Sequence, residues 1–267
     1  MNYAKIKKDC KSLKNYAQKN IIIGKSILKF VTNFEKLIVS LGYKPAFPVN
    51  IAQKDIIAHW TPKKNCAKKF TAGLCIIDFG LELGEIIVDT AMTIPLGSLS
   101  MAKYGTKIAN YRKKIERLAK NTKPPTKIIS QITAIEKIVK EQGWEILPGL
   151  GGHNILPGNL HGNRAIPHSF LDCDQAELTN YGTGYFCIEP FIVLPDTHFE
   201  IYNKKSPIYQ YVTAGRTFYT CDRWSDYSLG TNFGQPVDML VADRSIILIQ
   251  EQVCIHVTQN NTTIISS

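Results

Sequence analysis

The chain has 267 residues and carries 32 Lys and Arg against 22 Asp and Glu, which gives a formal net charge of +10. Hydrophobic residues make up 44% and charged residues 20%, an ordinary globular composition that excludes a disordered or fibrous protein. The seven cysteines contain no Cys-x-x-Cys pair, which argues against a disulfide framework and a structural zinc site. No stretch reaches the roughly 20 apolar residues of a membrane span, and the N-terminus lacks the apolar region of a secretory signal. These features predict a cytoplasmic protein with no membrane partner.

Apolar residues at helical spacing predict four helices in the first part of the chain. Gly42 stands where the second helix is expected to end, and Pro124-Pro125 separates the third from the fourth. The predicted helices cover residues 3–19, 20–41, 100–120 and 126–142.

Runs rich in Ile and Val predict strands on both sides of the last two helices. Residues 195–243 contain aromatic side chains without a clear period and are expected to be irregular. No low-complexity linker marks a domain boundary, and the order of elements predicts an α+β fold. The predicted strands cover residues 73–80, 85–94, 145–156, 184–194 and 245–258.

Two aspartates, Asp78 and Asp89, lie inside the apolar strands of the first hairpin. Asp is depleted in strands and is rarely buried unless it is paired or bound to a metal. If the strands pair about Leu83-Gly84, the two carboxylates stand directly opposite, with Cβ atoms roughly 5 Å apart. A divalent cation would relieve their repulsion, and carboxylate ligands suit Mn, Mg, Co or Fe. The alternative is one exposed or turn-capping Asp at each strand end.

Three more lone ionisable residues lie in apolar or glycine-rich strand contexts: His153, Glu189 and Glu251. Burying an unpaired charge is costly, so each of them needs a partner if it is inside the protein. Taken alone, His153 is typical of a hydrogen-bonded core histidine, and each glutamate is typical of an exposed strand residue. Together with the two aspartates they predict a metal site.

The order of these motifs resembles that of methionine aminopeptidases. The resemblance runs from about residue 40 to the C-terminus and is weakest over residues 195–243. The spacing from His153 to His161 and the Phe-Pro pair before the first histidine motif are more similar to type II, the archaeal and eukaryotic type, than to type I. The motifs are Pro45-Ala46-Phe47-Pro48-Val49-Asn50, Ala58-His59-Trp60-Thr61-Pro62, Asp78-Phe79-Gly80, Asp89-Thr90-Ala91, Gly152-His153-Asn154-Ile155, Ile188-Glu189-Pro190-Phe191 and the late Glu251.

The resemblance implies the pita-bread (creatinase/aminopeptidase-like) fold, with two pseudo-symmetric halves, a curved antiparallel sheet and outer helices. Residues 1–267 would form one catalytic domain, with a shortened type II-like insertion at about 195–243. The implied reaction removes the initiator methionine from nascent proteins by hydroxide attack from a site with two divalent ions (Co, Mn, Fe or Zn). Asp89 and Glu251 would bridge both ions. The implied metal ligands are Asp78, Asp89, His153, Glu189 and Glu251.

The resemblance also implies roles around the metal site. His59 would contact the substrate amine or the scissile amide, and His161 would hold and polarise the scissile carbonyl. Phe47 would line the pocket for the methionine side chain. Glu189 would take the proton of the attacking water and pass it to the leaving amine.

The sequence departs from the family pattern after its last glutamate, where Gln252 and Val253 stand in place of His-Thr. Cys75, Cys187 and Cys254 each lie within three residues of an implied ligand. They are candidates for ligands to a softer metal or, alternatively, for buried residues that behave as small hydrophobes.

Two other functions remain open at this point. One is a proline-specific peptidase of the same fold, and the other is a non-catalytic homologue that binds RNA or the ribosome. For the leading interpretation the partner is a peptide or nascent chain that begins with Met, and the protein is expected to be a monomer.

The excess positive charge lies on the predicted helices. Residues 1–50 carry a net charge of +8 and residues 101–150 carry +7, whereas residues 151–200 carry −5. Helices packed outside a sheet would turn this charge to solvent or toward an acidic partner, which is compatible with association with the ribosome.

Overall fold

The computed structural model describes residues 2–97, 99–124, 126–172, 180–195 and 198–266. The four predicted helices are present, and the side chains of Asn2 and Ser26 cap the first two by accepting hydrogen bonds from the backbone N–H groups of Lys5 and Lys29. A short fifth helix lies in the segment expected to be irregular. The helices are α1 (Tyr3–Asn20), α2 (Ile27–Ser40), α3 (Leu99–Asn121), α4 (Ile128–Lys140) and α5 (Tyr227–Phe233).

The strands pair antiparallel throughout the described part of the chain. Three of the predicted strands are interrupted: residues 145–156 break at 147–151, residues 184–194 at Glu189-Pro190, and residues 245–258 at Glu251-Gln252. The strands are β1 (Lys44–Pro45), β2 (Asn50–Gln53), β3 (Ile56–Ala58), β4 (Gly73–Leu83), β5 (Ile86–Leu96), β6 (Glu145–Ile146), β7 (Gly152–Ile155), β8 (Ala165–Ile166), β9 (Gly184–Ile188), β10 (Phe191–Val193), β11 (Ile201–Thr213), β12 (Arg216–Cys221), β13 (Gln235–Ala242), β14 (Leu248–Gln250), β15 (Val253–Val257) and β16 (Thr262–Ile264).

The first half of the chain packs α1 and α2 against the sheet formed by β1, β2, β4 and β5. Phe34 of α2 meets Phe79 of β4 edge to face, with ring centroids 5.0 Å apart. Because side chains alternate along a strand, the neighbouring Asp78 points away from these helices. This alternation turns one face of β4 to the core and the other to the functional site.

The second half repeats this arrangement with α3 and α4. Their buried face, which includes Ile115 and Ile132, shares a core cluster with Ile188, Ile192 and Ile255 of the strands. One sheet has the order β16-β15-β9-β7-β8, and a smaller one has the order β14-β10-β6. Each half therefore covers the outer face of its strands with two helices, as the resemblance implied.

The register of the first hairpin differs from the sequence-based expectation. Asp78 pairs with Ala91, and Asp89 pairs with Gly80, so the two carboxylates are diagonal neighbours and do not stand directly opposite. The turn falls at Gly84-Glu85, with Gly84 at a φ of +64°, one residue later than expected. A shift of two residues between partners keeps both carboxylates on the same face of the sheet.

Residues 195–243 are more regular than the sequence indicated. They form β11, β12, α5 and β13, in a sheet with the order β12-β11-β13-β3. Much of this sheet is half-exposed on both faces, so its strands lack the alternation of apolar and polar residues that predicts a strand. Its last pairing, β13 with β3, joins the segment to the first half of the chain.

Within the described residues, no helix is long and apolar enough to cross a lipid bilayer.

Candidate metal centre and substrate cavity

A cavity of about 600 Å³ lies between the two halves and the sheet of β11, β12 and β13. Its wall combines carboxylates and imidazoles with apolar side chains. Such a combination of a largely apolar lining with a few convergent polar groups is typical of a small-molecule or peptide-end site. The polar and ionisable residues on its wall are Asn50, His59, Asp78, Asp89, His153, His161, Glu189, Gln210, Tyr219, Asp238 and Gln250.

Asp78 and Asp89 face this cavity from adjacent strands. The Asn50 amide donates a hydrogen bond of 3.2 Å to Asp78 Oδ2, while Asp78 Oδ1 and Asp89 Oδ1 are buried without a partner. Burial raises the pKa of Asp78 well above its ordinary value, and the charge of Asp89 adds to the effect. A cation between the two carboxylates would remove this penalty.

His153 brings a nitrogen donor to the same place. Its Nε2 lies 3.4 Å from Asp89 Oδ2 and 3.5 Å from Glu189 Oε1, and it has no hydrogen-bond partner. Its Nδ1 lies 3.2 Å from the carbonyl oxygen of Asn154, which can only accept, so Nδ1 carries the proton and the lone pair of Nε2 is free. This tautomer is the one that binds a metal ion through Nε2.

Glu189 completes the cluster from the break between β9 and β10. Burial raises its pKa well above the ordinary value, and the charges of Asp89 and Asp78 raise it further. Unpartnered oxygen and nitrogen atoms from Asp78, Asp89 and His153 therefore converge with Glu189 in a buried site. Residues with this donor set fit a divalent transition-metal ion.

Cys187 also reaches the edge of the cluster. Its Sγ and ligand atoms of Asp89 and His153 all lie within 4.8 Å of one another. Burial raises the pKa of the Cys187 thiol well above its ordinary value, and Cys254, its partner on β15, adds to the effect. The thiol form is therefore favoured when no metal is bound, which agrees with the interpretation of this cysteine as a small buried residue.

The structure does not bring Glu251 to the cavity. Its carboxylate accepts hydrogen bonds from Arg112 Nε at 2.5 Å and Nη2 at 2.9 Å, and from the backbone N–H of Thr93 at 2.9 Å. It is 1% exposed and points toward α3 on the helix side of the sheet. In this placement Gln250, and not Glu251, is among the residues that line the cavity, and the bridging role of Glu251 stays a prediction.

His59 also lines the cavity, in a strained backbone conformation. Its φ is +60°, a left-handed value that is uncommon for residues other than glycine and that clusters at functional sites. Ser206 Oγ donates to its carbonyl oxygen at 2.5 Å, and its Nδ1 lies 2.7 Å from the carbonyl oxygen of Asp238. Nδ1 is therefore the protonated nitrogen of a neutral His59, and Nε2 is left as an acceptor.

His161 lies between His153 and Tyr219. Its ring centroid is 4.4 Å from that of His153, and its Nδ1 lies 2.8 Å from the hydroxyl of Tyr219. Desolvation of the ring lowers the pKa of His161 well below its ordinary value, and repulsion from His153 and His59 adds to the effect. Part of the residue nevertheless reaches solvent. His161 is therefore neutral at pH 7.

Phe47 lines the cavity and packs against the hairpin that carries the aspartates. A Cβ added to Gly80 would lie 2.6 Å from Phe47 Cε1, so the ring occupies the space that a side chain at position 80 would fill. Since Gly80 is the cross-strand partner of Asp89, the ring is held close to the carboxylate cluster.

His168 has a role at the site that the sequence does not predict. It is fully buried, and its Nε2 accepts hydrogen bonds from the backbone N–H groups of Gly152 at 3.1 Å and Glu189 at 2.9 Å. It thereby ties the strand before His153 to the turn that presents Glu189. A histidine in the irregular stretch after Ile166 has no local pattern that would indicate this contact.

Comparison with known proteins gives one consistent result among curated sequences. A methionine aminopeptidase of Methanothermus fervidus is 32% identical over 152 residues, which are 53% of this chain and 81% of that protein. A methionine aminopeptidase of Pyrococcus abyssi (strain GE5 / Orsay) is 29% identical over 210 residues, 75% of this chain and 69% of that protein. No family model matches the chain.

Solved structures extend the similarity over the whole fold. Methionine aminopeptidase from Rickettsia prowazekii superposes with a TM-score of 0.70 at 16% identity, covering 99% of this chain and 95% of that one. A thermophilic Arx1 gives a TM-score of 0.72 at 13% identity, covering 99% and 89%. A prolidase from Pyrococcus furiosus gives 0.59 at 17% identity, covering 98% and 62%. These likenesses confirm the expected pita-bread fold.

Proposed function

The chain belongs to the methionine aminopeptidase family, and we propose that it removes N-terminal methionine from peptides and nascent chains in a metal-dependent hydrolysis. The observation that carries this proposal is the convergence of Asp78, Asp89, His153 and Glu189 on one wall of a cavity that also holds His59 and Phe47. A proline-specific peptidase of the same fold remains the alternative to be tested.

The four converging residues would hold the metal, with His153 contributing Nε2 and the three acids contributing their carboxylate oxygens. A divalent ion held there would lower the pKa of a bound water and polarise the scissile carbonyl. Glu189 would take the proton of the attacking water and return it to the leaving amine. The expected second ion would depend on a fifth ligand, and the implied one, Glu251, is hydrogen-bonded to Arg112.

The two histidines on the cavity wall have complementary roles. If the Tyr219 hydroxyl donates to His161 Nδ1, the proton of the neutral imidazole lies on Nε2, which can then donate to the oxygen of the scissile carbonyl. His59 Nε2, by contrast, is an acceptor when the ring is neutral, so it suits an N–H of the substrate amine or amide.

Specificity would come from the apolar part of the cavity. Phe47, Ile57 and Ile76 line it on the side of the first half, and Leu150 and Phe191 on the side of the second half. An unbranched methionine side chain fills such a pocket, although a pocket of this kind discriminates against near isosteres by only about 1–3 kcal/mol.

The proposed partner is a chain that begins with Met, in the cytoplasm and close to the ribosome. Exposed lysines on α1 and α3, such as Lys8, Lys11, Lys103 and Lys113, form the outer surface of the helices and would face ribosomal RNA. Binding to ribosomes that weakens steeply as salt is raised would support this proposal, and binding insensitive to salt would contradict it.

The test of the activity is hydrolysis of a Met-Ala-Ser peptide by protein that has been stripped of metal and reloaded with Mn²⁺ or Co²⁺. We expect release of free methionine, and no release from the same peptide with an acetylated N-terminus. An Xaa-Pro peptide in a parallel assay separates the two peptidases. Turnover of Xaa-Pro alone would favour the proline-specific alternative, and a folded, metal-loaded protein that cleaves neither peptide would overturn both.

A further inference from the structure

The two halves of the protein present their cavity-facing residues with the same register. In the first hairpin Asp78 pairs with Ala91, and Asp89 lies two residues before that partner. Asp89 therefore faces the same side of the sheet as Asp78, displaced by one side-chain repeat along the neighbouring strand.

The second half contains the matching pair of strands. Ile188 pairs with Val253, and Phe191 pairs with Gln250, with equal numbers of residues between the two pairs. Glu189 thus stands opposite Gln252, and the residue two positions before that partner is Gln250. The register assigns Gln250, and not Glu251, to the place that Asp89 holds in the first half.

Three observations support this assignment. Gln250 lines the cavity together with Asp78, Asp89 and Glu189. The backbone of Gln250 is fixed by Thr93, whose hydroxyl donates to its carbonyl oxygen and accepts from its N–H, both at 2.9 Å. Glu251, one residue on, points to the opposite side of the strand, where Arg112 binds it. Turning the Glu251 side chain to the cavity would leave Arg112 without its partner.

A glutamine at this place changes what the site can hold. The amide is neutral and offers a single oxygen donor, whereas a carboxylate carries a charge and can share two oxygens between ions. Two divalent ions about 3.5–4 Å apart repel each other strongly and need carboxylates to offset their charge. The remaining donors are those of Asp89 and Glu189, His153 Nε2 and Asp78 Oδ1, since Asp78 Oδ2 accepts from Asn50. They are enough for one ion.

We propose that Gln250 stands at the fifth ligand position and that the site therefore binds one divalent ion tightly and not two. The inference rests on the proposed metal site and deepens it, because it concerns the number of ions and not the substrate. It also predicts that a carboxylate at position 250 would allow a second ion to bind.

Titration of the metal-free protein with Mn²⁺ tests the inference by calorimetry, metal analysis and electron paramagnetic resonance. We expect the wild type to bind one ion with the spectrum of an isolated Mn²⁺, and Gln250→Glu to bind two with the spectrum of a coupled pair. Glu251→Gln is the matched control, because it changes the adjacent residue on the other face and leaves the number of ions at one.

Two ions bound to the wild type, or loss of an ion in Glu251→Gln, would overturn the inference, and so would a wild type that binds no ion. If Gln250→Glu fails to fold, the wild-type stoichiometry still decides. Failure of the proposed function has a different signature: one tightly bound ion without peptide hydrolysis contradicts the peptidase activity and leaves the single-ion site in place.

Discussion

Arg112 and Glu251, 139 residues apart in the chain, form a two-point ion pair on the helix side of the sheet, with N–O distances of 2.5 and 2.9 Å. The Glu251 side chain is nearly inaccessible, and that of Arg112 is only 24% exposed. The pair joins α3 to the strand segment that follows β14. The adjacent residue, Gln250, lines the cavity instead.

Replacing Arg112 with methionine is expected to destabilise the protein by about 3–5 kcal/mol, because it leaves the Glu251 carboxylate buried without its partner. Urea unfolding measures the change. The control is Lys114→Met, which breaks the exposed pair with Glu141 and should cost no more than about 1 kcal/mol. Adding Glu251→Gln to Arg112→Met should recover part of the loss. Equal stability of Arg112→Met and Lys114→Met would show that the buried ion pair does not stabilise the contact between α3 and this strand segment.

Asp89→Asn is expected to abolish tight metal binding, because it removes a carboxylate that lies 3.4 Å from His153 Nε2 and interacts electrostatically with Asp78. Calorimetric titration with Mn²⁺ measures the affinity. Asp55→Asn, at an exposed site in the turn between β2 and β3, is the matched control and should bind as the wild type does. Metal binding by Asp89→Asn at wild-type affinity would contradict the proposed ligand set.

His59→Ala is expected to lower kcat/KM by about 10²–10⁴-fold while metal binding is retained, because the proposed role of the ring is to contact the substrate and His59 is not one of the four proposed ligands. Peptide hydrolysis and metal titration on the same preparation separate the two effects. The exposed His198 provides the control, and His198→Ala should change neither quantity. Loss of metal from His59→Ala would show instead that His59 supports the metal site.

His168→Leu is expected to weaken metal binding and to destabilise the fold, because it leaves the buried N–H groups of Gly152 and Glu189 without an acceptor. Each unsatisfied group costs about 1–3 kcal/mol. His168→Gln should recover much of the loss, since its side-chain oxygen can accept at a similar reach. Thermal unfolding and metal titration measure both effects. If glutamine is no better than leucine, the hydrogen bonds to the two N–H groups are not what positions Glu189.

Gly80→Ala is expected to raise KM for Met peptides several-fold without loss of metal, because the new methyl group displaces the Phe47 ring from the cavity wall. Gly182→Ala is the control. A Cβ at this exposed glycine meets no atom within 4 Å, so the substitution should leave KM unchanged. An unaltered KM in Gly80→Ala would mean that Phe47 does not shape the methionine pocket.

The helices could be predicted from the sequence because their apolar faces repeat with helical spacing, as in Ile128, Ile132 and Ile135 of α4. The hairpin was located correctly, but its register was not, since the turn residues alone do not decide between neighbouring two-residue loops. The prediction that Asp78 and Asp89 share one face of the sheet was still correct, because a shift of two residues does not change the face.

The direction of the side chains around Glu251, which the resemblance names as a ligand, could not be predicted in the same way. In the run Gln250-Glu251-Gln252 every residue is polar, so no local alternation indicates which side chain points inward. The directions of these side chains depend on the pairing of the flanking strands with β9 and β10 and on Arg112 of α3, all of which are distant in sequence. For the same reason the strands of residues 195–243 were missed: their partners, and not their own pattern, make them a sheet.

The sheet that joins the first half of the chain through the pairing of β13 with β3 is formed by a different segment from the one that carries the proposed ligands. The four proposed metal ligands lie between positions 78 and 189, whereas residues 201–242 form one wall of the cavity, which includes Tyr219 and contacts His59. Substitutions in this wall can reshape the entrance without disturbing the ligands. The peptide specificity of the protein can therefore change while the proposed ligands stay the same. Residues 201–242 are the segment in which exchanges of sequence with related proteins would test this.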